Sequence, residues 1–408
     1  MDVGGHGEHG SPCPLGYTVF TVVALVFLTT SLGAQSTDVS THLRAAAQAT
    51  RDHRFLDAVT EVSAATALAP TLPAAWYALG QAYTDLANDA ARTFDRSADD
   101  AEWRRLIAAD GLSSSGRLVD AFTLYRQALD ALPAMVTIHD SIARIYERTG
   151  HTDWSALERA AGARMPADCA ARPAVCEFRS GRYRAALDGA LARSDPEARY
   201  WRARAATELA RAAFDRLDDL PESIERRAMR AARARAEDRH LDAIAELEAA
   251  LKLAPDHPAL TSELAQSCYA VRDYERTAAI LSAVLRARPD DVPALKLLGY
   301  SLVRLRRVDE AVPVLQRALD RDAADPGPRL ALGRAHVQRG DFAAAIPLLE
   351  PALGGDEDGS LHVQLARAYA ALGQQQKAAA LLARSEELRR AASDAAAAAA
   401  NRSITPPH

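Results

Sequence analysis

The sequence predicts an all-α fold, an α-α superhelix of antiparallel helical hairpins stacked one on the next, and three observations carry that expectation. Beyond residue 40 the chain is rich in Ala, Arg, Leu and Glu, while Val, Ile, Thr, Phe and Tyr are sparse over long stretches, which favours helix over strand. A small residue recurs at Ala243, Thr277, Ala311, Ala345 and Ala378, spaced 34, 34, 34 and 33 residues apart, and a fixed period of that length marks a stack of supersecondary units. The period is also punctuated. Gly340 and Gly373 sit where a chain turns left-handed after a helix, and Pro255 and Pro289 close two of the second helices.

The first helices between these turns, VPALKLLGYSLVRL, PRLALGRAHVQR and SLHVQLARAYAAL, each carry a Leu-Gly or Leu-Ala pair (Leu298 and Gly299, Leu332 and Gly333, Leu365 and Ala366) that lets a second helix approach closely. The pattern resembles the tetratricopeptide repeat, a 34-residue helix-turn-helix unit with the first-helix signature W-x2-L-G-x2-Y. Trp76, Leu79, Gly80 and Tyr83 reproduce that signature in full, and Ala58 with Pro70 fit the second helix before it. Gly116, Ala121, Tyr125, Ala128 and Pro133 form another second helix, followed by a first helix with Ile142, Tyr146 and Gly150. Cys268 replaces the usual first-helix Tyr, and Arg272 and Arg306 replace turn glycines, so those two turns are expected to differ in detail. The resemblance implies a solenoid that binds proteins or peptides and catalyses nothing.

The organisation follows in order. Tyr17 to Ala34 is an uncharged apolar run ending in the small residues Ser31, Gly33, Ala34 and Ser36, so residues 1–36 are expected to be a signal peptide. The alternative is a signal anchor held in the membrane by residues 17–34, although residues 1–16 contain no Lys or Arg. Cys13 precedes the run, where an acylated Cys would follow it, and His6 with His9 read as solvated. Residues 37–87 are then tetratricopeptide-like repeats, 88–115 a helical insert, 116–150 a further repeat and 151–209 divergent repeats with a Cys pair. A second insert spans 210–240, the carboxyl-terminal array 241–388, and an Ala-rich helix extension with a flexible tail 389–408. The inserts are related: Phe-Asp-Arg at 94–96 recurs at 214–216, Arg104 and Arg105 recur as Arg226 and Arg227, and Asp120 and Ala121 as Asp242 and Ala243. From Arg104 onward the offset is a constant 122 residues, and Trp76 has a counterpart in Trp201. We read a duplicated super-unit of hairpin, extra helix pair and further hairpin, with the insert acting as a spacer that alters curvature rather than as a docking surface.

No catalytic constellation is present. There is no G-x-x-x-x-G-K-[ST] loop and no H-E-x-x-H, and the acid pairs Asp99 with Asp100 and Asp218 with Asp219 read as solvated charge. No cofactor or metal is expected, since His139 and His151 bear no spacing relation to the cysteines. Apolar residues at 49%, charged residues at 25% and a net charge of -5 describe a folded protein without the basic excess that nucleic-acid binding needs. Cys169 and Cys176 would form a disulfide if the chain is exported, and Cys268 reads as a core thiol. The family's binding face is the concave row of first helices. With Leu295, Leu298 and Leu302 as the packing stripe, Lys296, Tyr300 and Arg304 fall on another face. Gln266 and Tyr269 precede them, and Arg334, Gln338 and Arg367 follow, a line of cations and tyrosines suited to an acidic segment. The sequence is therefore read as an exported, periplasmic or secreted protein-binding scaffold, touching a membrane only through an uncleaved amino terminus. The alternative is a self-associating structural solenoid.

Overall fold

A single short helix is marginal in water, so each helix of such a chain must bury an apolar stripe on a neighbour. A computed structural model of the 408-residue chain describes residues 37–96, 100–133, 135–164, 169–400 and 402–407. The expected signal peptide or anchor, with His6, His9 and Cys13, lies outside the described residues. These residues form α-helices and short 3-10 turns with no strand, and none of the helices is long and apolar enough to cross a membrane. They divide into two units, one running to Asp238 and taking in 402–407, the other beginning at Arg239.

The first unit contains α1 (Thr37–Arg51), α2 (Phe55–Leu68), α3 (Pro73–Arg92), α4 (Ala101–Ser114), α5 (Leu118–Ala131), α6 (Val136–Arg148), α7 (Thr152–Ala163), α8 (Pro173–Arg179), α9 (Tyr183–Leu191), α10 (Pro196–Asp218) and α11 (Ile224–Ala236). Neighbouring helices pack as hairpins, α1 with α2, α4 with α5, α6 with α7 and α8 with α9. The most extensive contact of the chain is non-local, between α3 and α10. Both helices line this contact with alanine, including Ala75, Ala78 and Ala82 on one and Ala203, Ala206 and Ala210 on the other, all buried. Gly80 marks the closest approach, because a Cβ there would lie 2.4 Å from the Phe214 ring. Phe94, just past α3, is buried beneath the Arg199 guanidinium at 4.9 Å, so the two helices run antiparallel.

The inserts take a simpler form than the sequence suggests. Each is the overrun of its first helix plus one further helix, α4 or α11, rather than a separate pair. The helix at 118 therefore takes α4, not α3, as its hairpin partner, because α4 fills the space that the missing first helix would have left. Two bridges hold α4 to α10: Arg199 donates to Asp100 at 2.7 Å, and Arg204 donates to Asp110. Tyr125 completes the second by donating its hydroxyl to Asp110 at 2.5 Å.

The second unit contains α12 (His240–Leu253), α13 (Pro258–Ala270), α14 (Tyr274–Ala287), α15 (Val292–Arg304), α16 (Val308–Arg321), α17 (Pro326–Arg339), α18 (Phe342–Leu349), α19 (Ser360–Ala371) and α20 (Gln375–Ala400). The periodic small residues are its contact points: Ala243, Thr277, Ala311 and Ala345 are 0% exposed and Ala378 4%. Gly299 and Gly333 meet the second helix of their own hairpin so closely that a Cβ would fall 2.4 Å from Leu315 and Leu349. The turns at Arg272 and Arg306 do not differ from the glycine turns, contrary to the expectation from their sequence. Both arginines are left-handed, at φ 63° and 59°, as are Gly340 at 85° and Gly373 at 76°. In all four the next amide closes the same bond to a carbonyl five residues back, each at 2.9 Å (Asp273 to Cys268, Arg307 to Leu302, Asp341 to His336, Gln374 to Tyr369). Packing of the hairpin fixes the turn, and the side chain accepts the strain.

The carboxyl terminus also departs from expectation. Residues 402–407 are not a free tail but lie on the first unit, where the Tyr146 hydroxyl donates to the Thr405 carbonyl at 2.6 Å, Ile404 packs on the core and Arg402 meets Asp120 at 3.3 Å. Ile404 has apolar surface to bury, and the half-buried Tyr146 hydroxyl needs an acceptor.

Two measurements check this description. A left-handed non-glycine residue costs on the order of 1 kcal/mol, so Arg272→Gly and Arg306→Gly should each raise unfolding stability by about that amount in urea titration, and Gly340→Ala should lower it. Asp85, on α3, has its carboxyl pushed up from 3.8 to about 6 by burial, which Arg92 opposes only partly. A raised carboxyl binds its proton more tightly in the folded state. Stability is therefore intact below about pH 4 and falls as pH rises through about 6, by up to about 3 kcal/mol at 1.36 kcal/mol per pH unit. Asp85→Asn should remove that slope and leave the protein more stable at pH 7.

Candidate protein-binding site

First helices α13, α15, α17 and α19 touch in succession along the second unit. The period places Leu295, Leu298 and Leu302 in the core, at 0%, 5% and 3% exposure, and turns the intervening positions outward. On that outer side Gln266, Arg304, Gln338 and Arg367 are exposed, while Tyr269, Lys296, Tyr300 and Arg334 are half-buried.

The half-buried members are tied into the turns between repeats. The Lys296 ammonium forms an ion pair with Asp325, the residue that caps α17 by accepting from the Gly327 amide at 2.8 Å. The Lys296 contact, opposed by burial and helped by the Gly327 amide, holds the Asp325 carboxyl below its ordinary range. Gly327 leaves room for the Tyr300 hydroxyl, which a Cβ would approach to 2.4 Å. Burial first, then the negative charge of Asp325, pushes Tyr300 up to about 12, so it stays a neutral donor. Tyr269 lies edge-on to Tyr274, ring centroids 5.3 Å apart. Lys296 is thus a strut between repeats, and any ligand carboxylate reaching it must displace Asp325. Among the eight positions Arg304, Arg334 and Arg367 retain the cationic character the sequence assigns to the face.

Outside this row the structure bonds Cys169 to Cys176 across a Cα separation of 5.7 Å, ahead of and within α8, and buries Cys268 completely. No group of three or more His, Cys, Asp or Glu among the described residues is arranged to hold a metal. His139 instead meets Glu158 at 2.6 Å inside the α6–α7 hairpin.

The sequence reading missed one feature, a cavity in the first unit with Asp110 in its wall. Burial pushes the hydroxyls of Tyr125 and Tyr200 beside Asp110 well up, so both stay protonated. Burial opposes the Arg204 charge, yet Asp110 and the two tyrosines outweigh it and keep the guanidinium above its ordinary value. Arg204 on α10 gives no periodic signal, and no local spacing links it to Asp110.

A row of helical hairpins repeating at 34 residues, with no cofactor loop, defines an α-solenoid protein-interaction scaffold. Family models of the tetratricopeptide repeat match residues 228–291, 263–326 and 302–359, and the chain belongs to the tetratricopeptide-repeat family. Among solved structures it is similar to MamA residues 41 to the end from Desulfovibrio magneticus RS-1, at 20% identity and TM-score 0.39 over 42% of this chain and 97% of that one. It is also similar to TTC0263, a thermophilic tetratricopeptide protein of Thermus thermophilus, at 19% identity and TM-score 0.34 over 44% and 98%. A MamA structure designated MSR-1 aligns at 23% identity and TM-score 0.37 over 41% and 95%. No curated protein sequence matches the chain.

Proposed function

We propose that the protein is an exported, non-catalytic scaffold whose second unit receives an acidic peptide segment along its first helices. The observation that carries this reading is the in-phase repetition of Tyr269, Tyr300, Arg304, Arg334 and Arg367 on one side of a continuous row, above a buried leucine stripe. An extended segment laid across such a row meets one set of side chains per repeat, and guanidinium-carboxylate bonds supply charge-assisted contacts at each step. Export is supported by the apolar run Tyr17 to Ala34 and by the Cys169–Cys176 disulfide, a bond that persists in oxidising compartments.

Crosslinking in the native cell, with the partner identified and the mature amino terminus read in the same sample, tests both halves. The expected result is a chain beginning near Ser36 and a partner contacting the second unit through an acidic stretch. Replacing Arg304, Arg334 and Arg367 together by Glu should abolish that crosslink and leave the far-ultraviolet helical spectrum unchanged. An undiminished crosslink, or concentration-dependent self-assembly in sedimentation with no captured partner, would instead favour the self-associating solenoid. Free thiols at Cys169 and Cys176 in the cellular protein would argue against export.

A further inference from the structure

The first unit encloses a cavity of about 260 Å³ between α3, α4, α5, α6 and α10. That is slightly under the roughly 300–1,000 Å³ of ordinary small-molecule sites, so it suits a compact ligand. Its polar wall is asymmetric. On one side stands Asp110, whose Oδ1 takes the Tyr125 hydroxyl and the Arg204 guanidinium, while its Oδ2 is shielded from solvent and has no hydrogen-bond partner. The Arg204 pair already neutralises the carboxylate, so what Oδ2 lacks is a donor rather than a cation. A buried acceptor left alone costs about 1–3 kcal/mol, which a ligand N–H or O–H would recover.

On the other side stand Arg144 and Arg148, one helical turn apart on α6, both exposed. Arg144 donates to the Ser141 hydroxyl at 3.0 Å and Arg148 to the Ser113 carbonyl at 2.9 Å, and neither meets a carboxylate among the described residues. The remaining acid of the lining, Glu208, is taken by Arg211 at 2.6 Å. Two positive charges therefore face the cavity without compensation. Asn88, across from them on α3, adds a side-chain amide with no partner among the described residues.

We infer that this cavity binds a compact carboxylate that also carries an N–H or O–H donor, the carboxylate on Arg144 and Arg148 and the donor on Asp110 Oδ2. Bidentate guanidinium geometry selects the planar carboxylate, and the volume admits about one residue. Two sources share this chemistry: the acidic carboxyl-terminal residue of a polypeptide, and a free N-acylated amino acid. The site belongs wholly to the first unit, so it stands or falls separately from the peptide row of the second.

Calorimetric titration of the intact chain tests it with three probes: N-acetyl-aspartate, a pentapeptide ending in Asp with a free carboxyl terminus, and the same peptide amidated. Binding of N-acetyl-aspartate or of the free-acid peptide, with the amidated peptide at least tenfold weaker than the free acid, supports the site. The peptide binding alone assigns the chain-terminus source, and N-acetyl-aspartate alone assigns the free molecule. Arg144→Ala and Arg148→Ala, both at exposed positions, should each weaken binding at least tenfold without altering the thermal midpoint by more than a few degrees. Absence of heat from every probe at millimolar concentration, equal affinity in both arginine variants, or tighter binding of inorganic phosphate than of either carboxylate would overturn the inference.

Discussion

A hairpin of two short amphipathic helices has more apolar surface than its own two faces cover, and the remainder must be buried on a neighbour. Everything else in the chain follows from how that remainder is met. In the second unit it is met locally: Gly299 and Gly333 bring each pair together against Leu315 and Leu349, and the next hairpin, offset by 34 residues, covers what is left. The left-handed turns at Arg272, Arg306, Gly340 and Gly373 are set by that packing, which is why two of them persist without glycine.

In the first unit the remainder is met at long range. The two related super-units contribute α3 and α10, and these first helices cover each other instead of stacking on a following hairpin. The shared Phe-Asp-Arg motif explains how: Phe214 lies against Gly80 on α3, and Phe94 lies beneath Arg199 on α10. The lengthened helices and the inserted α4 and α11 thus serve an internal contact, with α11 reaching α3 as α4 reaches α10. Helix starts keep the duplication in register, α5 to α12, α6 to α13 and α7 to α14 each separated by 122 residues. The same arrangement encloses the cavity, whose walls come from α3, α10 and the hairpins between them.

The local half of this architecture was legible from the sequence, because a period, a Leu-Gly pair and a turn residue are properties of neighbouring positions. Leu295, Leu298 and Leu302 are buried as their spacing requires, and Gly80 is a point of close approach as its motif requires. What Gly80 approaches could not be read, since a repeat of 122 residues reveals common ancestry of two segments without saying that they touch. The same holds for Lys296. Its helical face was predictable, but Asp325 lies in a turn of the following repeat, and only the fold brings that carboxylate across to occupy it. The tail was misread because Ile404 among polar residues gives no periodic signal, although one apolar side chain and one backbone acceptor suffice to dock it beside Tyr146.

As a scaffold, the protein combines a periodic row with side chains repeated along one side and a first unit built on one non-local helix pair around a polar cavity. The claim on which the rest depends is that α3 and α10 carry the first unit by direct contact. Hydrogen exchange read by mass spectrometry on a Gly80→Val variant of the intact chain tests it most directly, because the added side chain must displace Phe214. The account predicts that amide protection falls in α3, α4 and α10 together while α15 to α18 keep theirs. Protection retained in α10, or lost evenly along the chain, would contradict it.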